Sequence, residues 1–447
     1  MKARILLLSA LVLFPMQNAY SAWNWSGTLK AKVQGDNRYT RYTDDFEIFG
    51  EVWGSFEAFD KQQGWQTAVD FVTRGSVNNG FEGDIYQLSI QKEFKEWNTS
   101  IQAGRFQRSD SLGFYSLDGA SIIYRLPDYG LSFNLYGGRP TRQEDMRSVT
   151  GEWLYGIELM SHQQINWQND VLPIDSWLFR FAFQQFNNQL IEDPYSFLYY
   201  EQEVSGEKED ATSTRVSMGT TIAGQFQHRY LHAYEIALTG TLETSTGVFE
   251  EVFTDLSLDI TENTRVRVSY ALYEPRSPYP TFKEQFYTDY YSGRQDLLLV
   301  SFNQALTDTF SYHLEGKRAA RKEGKDIGYG GEVGVRSRYF RDWDLSADFD
   351  MLEFGDSSTY NLYFGSEYSL SAKTLLNLNL AYSLDTSPLY GENTAAGTEL
   401  KVRYKLYSDV FIDLAGSYIA NSRLDNEYRL GLQATWYFDN FMPKAGM

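Results

Sequence analysis

Apolar and polar residues alternate along nearly the whole chain. Trp23, Trp25, Gly27, Leu29, Ala31 and Val33 interleave with Asn24, Ser26, Thr28, Lys30, Lys32 and Gln34. Near the other end Tyr428, Leu430, Leu432, Ala434, Trp436 and Phe438 interleave with Arg429, Gly431, Gln433 and Thr435. The same period runs through Val266/Val268/Tyr270/Leu272, Leu376/Leu378/Leu380/Tyr382 and Leu400/Val402/Tyr404/Leu406. A period of two places the two sets on opposite sides of an extended backbone, so each segment is expected to be a strand with one apolar and one polar face. No segment sustains a 3.6-residue period, and almost no helix is expected.

Dividing the chain at its turn-forming clusters gives about 22 strands, within a range of roughly 18 to 24. Two irregular stretches, 163–175 and 223–230, leave the count open. The connections alternate in length. Short ones fall at 60–64, 95–98, 127–130, 261–264, 306–309, 341–343, 371–373 and 407–409. Long ones fall at 75–84, 107–117, 138–151, 187–212, 274–296, 319–328 and 385–395. A soluble two-sheet sandwich has no reason to shorten every second loop, whereas a membrane-crossing barrel keeps all its short turns on one side. Its strands need only about 9–11 residues, which fits these segments. Closure also removes the exposed edges that so many strands would otherwise present. The expected fold is therefore all-β: a single antiparallel up-and-down transmembrane barrel over 22–438, with no plug domain, because its first strand begins at Trp23.

The N-terminus fits export. Lys2 and Arg4 precede an apolar stretch from Ile5 to Phe14, then Pro15 and the small-x-small site Ala19-Tyr20-Ser21. This is the layout of a secretory signal peptide over 1–21. The apolar run is well short of the roughly 20 residues a helical span needs. Its removal leaves 38 of the 40 bases against 59 acids, a net charge of −21.

Composition changes the picture in one respect. The chain has 447 residues, a polar mean hydropathy, and yet 33 Tyr, 30 Phe and 10 Trp. Strands that face lipid on one side and water on the other average to a polar hydropathy, and the aromatic surplus suits girdles at the two membrane interfaces. Trp65, Trp153 and Trp177, like Trp23, Trp25 and Trp436, lie close to expected strand ends. The absence of Cys removes disulfides, thiolate zinc sites and thiol nucleophiles. The acidic balance argues against nucleic acid as a partner.

The last strand carries a further pattern, Arg429-x-Gly431-x-x-Ala434-x-Trp436-x-Phe438. With the signal segment, the two-residue repeat and the loop asymmetry, it makes the chain resemble Gram-negative outer-membrane β-barrels of the porin-like kind. Such barrels carry an assembly signal in the final strand, and Gly431, Trp436 and Phe438 match it. One departure is that nine residues, 439–447, follow Phe438, and they read as a short periplasmic tail. The resemblance implies an integral outer-membrane location. It also implies contacts with membrane lipid and lipopolysaccharide, and insertion by the barrel-assembly machinery.

With the apolar phase outward, the inward phase lists the pore-wall candidates: Lys30, Lys32, Glu51, Arg74, Arg125, Arg180, Arg215, Arg267, Arg336, Asp348, Lys401, Arg403, Lys405, Asp413 and Arg429. Both signs are well represented. Short turns are expected to place Arg336 opposite Asp348, Lys405 opposite Asp413, and Asp259 opposite Arg265 or Arg267. Such pairs stiffen the wall. Rows such as Lys401/Arg403/Lys405 would instead bias permeation toward anionic solutes.

Two long loops differ in chemistry. The stretch 187–212 is acidic and reads as solvated. The stretch 274–296 carries Tyr279, Phe286, Tyr287, Tyr290 and Tyr291, which suit the apolar faces of sugar rings. His162, His228, His232 and His313 form no recognisable catalytic or metal-ligand spacing, so no enzyme activity, cofactor or metal is expected. The expected function is an outer-membrane channel for hydrophilic solutes, including oligosaccharides. The alternative is the barrel component of a polysaccharide-export or multiprotein system, with a periplasmic partner protein entering the lumen.

Overall fold

The computed structural model describes residues 23–37, 47–76, 80–110, 112–141, 153–167, 173–188, 211–226, 231–244, 247–273, 295–321, 326–340, 342–387, 391–422 and 426–439. They form 22 strands and two single-turn 3-10 segments, 95–97 and 127–129. The first strands are β1 (Trp23–Asp36), β2 (Glu47–Asp60), β3 (Trp65–Ser76), β4 (Gly80–Phe94), β5 (Thr99–Asp110), β6 (Gly113–Leu126), β7 (Leu131–Thr141) and β8 (Trp153–Trp167). Next come β9 (Ile174–Asn188), β10 (Ala211–Gln225), β11 (Ala233–Glu243), β12 (Val248–Thr261), β13 (Thr264–Tyr273), β14 (Gln295–Thr307) and β15 (Phe310–Arg321). The last are β16 (Asp326–Ser337), β17 (Trp343–Glu353), β18 (Ser358–Ser371), β19 (Thr374–Ser387), β20 (Gly391–Lys405), β21 (Val410–Asn421) and β22 (Glu427–Asp439).

Each strand pairs antiparallel with its sequence neighbours, and β1 pairs with β22 from Ser26↔Asp439 to Asp36↔Arg429, so the sheet closes on itself. A closed sheet of this size, with strands about 4.8 Å apart and tilted by about 40°, is about 40 Å across. Among the described residues no globular element occupies its interior.

The outer face is apolar. Leu29, Val33, Val300, Val333, Leu362, Leu400, Leu430 and Leu432 are all exposed on the outward phase. Trp97, Tyr129, Tyr339, Phe340 and Tyr407 stand exposed in the short turns, with Trp343 and Trp436 beside them, forming one aromatic rim. Large apolar side chains exposed all around a closed sheet belong in lipid. The apolar band stops on β5–β7 at Arg105, Asp118 and Arg139, one cross-strand row on the outer face. The Arg105 guanidinium donates to Asp118 at 2.6 and 2.7 Å.

The terminal strand locks the closure. A Cβ on Gly27 of β1 would lie 2.5 Å from the Phe438 ring, so that ring lies directly over the glycine. Trp25 and Trp436 flank it, with ring centroids 6.0 and 4.9 Å away. Phe438 therefore seals the seam between the first and last strands, and β22 continues one residue further, to Asp439.

Several sequence expectations need correction. The stretches 75–84, 107–117 and 385–395 are mostly strand, because pairing continues to Ser76↔Gly80, Asp110↔Gly113 and Ser387↔Gly391. These hairpins rise past the lipid band, where neither face needs to be apolar and the hydrophobic alternation fades although the ladder persists. Strands consequently run to 10–15 residues. Two expected cross-turn pairs are out of register by two residues. Lys405 faces Phe411, and Arg403 faces Asp413, because the turn starts at Leu406, whose N–H donates to the Val410 carbonyl. Arg336 faces Ser346, and Asp348 faces Gly334. Asp259 does face Arg265. Across the irregular stretches 163–175 and 223–230, the described residues pass from β8 to its partner β9 and from β10 to its partner β11.

Candidate functional site: the luminal wall

Cross-strand partners share a face, so the phase can be followed from strand to strand around the barrel. It places all fifteen pore-wall candidates on the luminal side. They fall into three regions of different chemistry.

The first region lies across the closing seam. One row reads Arg403, Asp413, Gln433, Lys32, Glu51 and Arg74 across β20, β21, β22, β1, β2 and β3. The adjacent row reads Lys405, Phe411, Thr435, Lys30 and Trp53. Lys405 and Lys30 are thus three strand spacings apart, about 14 Å, although they stand at opposite ends of the sequence. Arg403 donates to Asp413 at 2.7 and 3.2 Å, and Lys401 Nζ stands 3.9 Å from the same carboxylate. Lys30 Nζ sits 4.4 Å from the centre of the Trp53 ring. Lys30, Lys32, Lys401, Arg403 and Lys405 outnumber the luminal acids beside them, Asp413, Glu51, Glu399 and Glu367, so this strip of wall is net positive. Above it Arg429 donates to Asp36 at 3.1 Å, across the β1–β22 closure.

The second region spans β9 to β17 and encloses a luminal trough of about 1230 Å³ toward the short-turn end. Its cations are paired. Arg265 grips Asp259 at 2.5 and 3.0 Å, and Arg267 reaches Asp255 at 2.5 Å. Arg336 and Arg338 converge on Asp344 at 2.6–2.9 Å, which replaces the expected Arg336–Asp348 pair. Lys317 contacts Glu315, Glu332 and Asp350. Each of these guanidiniums is neutralised by a carboxylate but is more exposed than its partner, so this arc presents paired guanidiniums, carboxylates and hydroxyls to the lumen.

The third region is apolar and was missed by sequence reasoning. Phe106, Leu117, Tyr136, Leu154 and Phe186, on β5 to β9, form a buried cluster on the luminal phase. Arg108 stacks 3.8 Å over Tyr136 and pairs with Glu158 at 2.6 Å, while Arg215 lies 5.0 Å over Phe186. A signal existed: Phe106 shares its phase with Ser100 and Gln102, and Leu154 shares its phase with Glu158. Continuing the polar phase up each strand would have turned both inward. Arg180 is on the same arc, and Arg125 is at its short-turn rim.

Tyr279, Phe286, Tyr287, Tyr290 and Tyr291 lie outside the described residues, as do the signal segment and positions 440–447.

An apolar belt outside, a charged wall inside and full closure define a transmembrane β-barrel. No family model matches the chain, and no curated protein sequence matches it. Among solved structures, the siderophore receptor PirA from Pseudomonas aeruginosa matches with a TM-score of 0.58 at 10% identity, over 92% of this chain and 80% of that one. A variant of the ferric enterobactin receptor PfeA from the same organism, in complex with enterobactin, matches with a TM-score of 0.58 at 9% identity, over 92% and 81%. OccAB3 from Acinetobacter baumannii aligns over 93% of this chain and 99% of that one at 10% identity, with a TM-score of only 0.43. At such identities the first two establish the fold and nothing finer.

Proposed function

We propose that the protein is an outer-membrane channel for hydrophilic solutes, with a wall strip that favours anionic ones. The observation that carries this reading is the Lys30/Lys32/Lys401/Arg403/Lys405 strip, assembled by barrel closure on the aqueous side. Across β12–β17 the luminal guanidiniums are paired with carboxylates, so the net positive strip is a feature that a passing anion would meet. Oligosaccharides are a fitting solute class. The half-buried Trp53 turns an aromatic ring to the lumen beside hydrogen-bonding Lys32 and Glu51. On the outer face, the Arg105–Asp118–Arg139 row stands where the apolar band ends, a position that suits the phosphates of lipopolysaccharide.

A barrel about 40 Å across also supports a second reading, in which a partner protein or exported polymer fills the lumen. Single-channel recording in a planar bilayer separates the two. The channel reading expects steady conductance and an anion-favouring reversal potential in a salt gradient. Lys30, Lys32, Lys401 and Lys405 changed together to Glu should move that potential toward cation preference. Silence at either polarity would refute the open channel and favour the occupied lumen.

A further inference from the structure

On the luminal face of β15–β17, three ligand-type side chains converge over a glycine. His313, Gly334 and Asp348 stand in one cross-strand row, and Glu332 lies two residues from Gly334 on the same face. His313 Nε2 is 2.9 Å from Glu332 Oε1 and 3.7 Å from Asp348 Oδ1. One ligand atom from each of the three residues lies within 4.8 Å of the other two. Gly334 is what permits the approach. A Cβ there would fall 1.9 Å from His313 Cε1 and 2.1 Å from Asp348 Oδ1, so any side chain would push imidazole and carboxylate out of place.

Donors bound to one ion at about 2.0–2.2 Å stand roughly 3.0–3.5 Å from each other. The two distances lie on either side of that range, and in the ion's absence the shorter one is a His313–Glu332 hydrogen bond. The surroundings support the same geometry. The second oxygen of Glu332 accepts from Lys317 Nζ at 3.1 Å, which fixes the carboxylate and leaves Oε1 directed at His313. Outer partners of this kind orient metal ligands. Glu315, Glu332, Asp348 and Asp350 face Lys317 and, one row away, Arg336, whose guanidinium is taken up by Asp344, so the position is net negative and attracts cations. It opens onto the luminal trough, from which water can complete a coordination shell.

We infer that His313, Glu332 and Asp348 form a binding site for a first-row divalent transition ion, of which Zn²⁺ is the representative. One imidazole with two carboxylates suits such ions, whereas Ca²⁺ and Mg²⁺ take all-oxygen shells. The ligands sit on three strands, at sequence spacings of 19 and 16 residues that no short motif describes. The inference stands whether or not the lumen conducts.

Calorimetric titration of ZnCl₂ into the purified, chelator-treated barrel tests it. The expected result is one saturable site. His313→Ala should abolish it, and Asp348→Asn should weaken it strongly. Gly334→Ala, which removes no ligand, should weaken it about 10- to 100-fold. Excess MgCl₂ should not compete. Heat-modifiable migration in detergent gels reports barrel closure for each variant, so a folding defect cannot pass for lost binding. An absence of saturable uptake by the unmodified chain would overturn the inference. So would equal uptake by folded His313→Ala, and either result would mark the cluster as a hydrogen-bonded network that holds no metal.

Discussion

Replacing Leu380 with Arg is expected to cost the folded barrel about 2–4 kcal/mol, while the same change at Ala381, one residue along β19, is expected to cost close to nothing. Leu380 lies at the middle of β19, in register with Phe364 on β18 and Thr398 on β20, and is 41% exposed on the outer face. A guanidinium there would sit near the centre of the hydrocarbon with no carboxylate in reach along its row. Ala381 is exposed on the luminal face, between Tyr363 and Gly397. Gly397 has no atom closer than 3.6 Å to its Cβ position, so a long side chain has room to extend into water. At 1.4 kcal/mol per factor of ten, the outward substitution shifts the folding equilibrium by roughly 30- to 1,000-fold. Denaturant titration of folding into phospholipid vesicles, followed by tryptophan fluorescence, reads this directly. If Ala381→Arg proved as costly as Leu380→Arg, the phase of β19 would be inverted. The luminal assignment of its register partners, Lys401 and Arg403 among them, would then fall with it.

Two further outcomes bear on the closing seam. Gly27→Val should destabilise the barrel by about 1–3 kcal/mol, because its Cβ would strike the Phe438 ring and the Ser55 carbonyl; unchanged denaturation midpoints would show that Phe438 does not depend on that space. Asp36→Ala should cost about 1–2 kcal/mol, since a fully buried carboxylate accepts from Gln34 at 2.9 Å and from the partly exposed Arg429 at 3.1 Å; the same titration checks it, and a neutral or stabilising result would refute that weight.

Much of this fold can be read before any coordinates, because a barrel writes its two solvents into every strand. The parity of Lys30 against Leu29, or of Arg403 against Val402, already says which side faces lipid, and that parity holds on all the strands bearing candidates. What parity cannot supply is register. A turn centred one residue earlier than expected slides its partner strand by two, which is how Lys405 comes to face Phe411 while Arg403 takes Asp413. The slide preserves the face of every side chain, so the wall keeps its chemistry while individual ion pairs are redealt. Strand ends are equally hidden. Past the lipid band neither face of a hairpin needs to be apolar, and Ser76↔Gly80 or Ser387↔Gly391 leaves no hydrophobic trace of its ladder.

The sites proposed here share a property that follows from closure. Lys30 and Lys405 are 375 residues apart in the chain and three strands apart in the wall, because β22 returns to β1. His313, Glu332 and Asp348 each come from a different strand, and the residue that lets them meet, Gly334, carries no side chain to announce itself. In an up-and-down barrel a functional row runs across the strands while the sequence runs along them, so a binding site samples the chain at intervals set by hairpin length. Short-motif searches are therefore blind to such rows by construction. The unit that carries chemistry is the perpendicular row on the luminal face, and a substitution is best judged by its two cross-strand partners before its sequence neighbours.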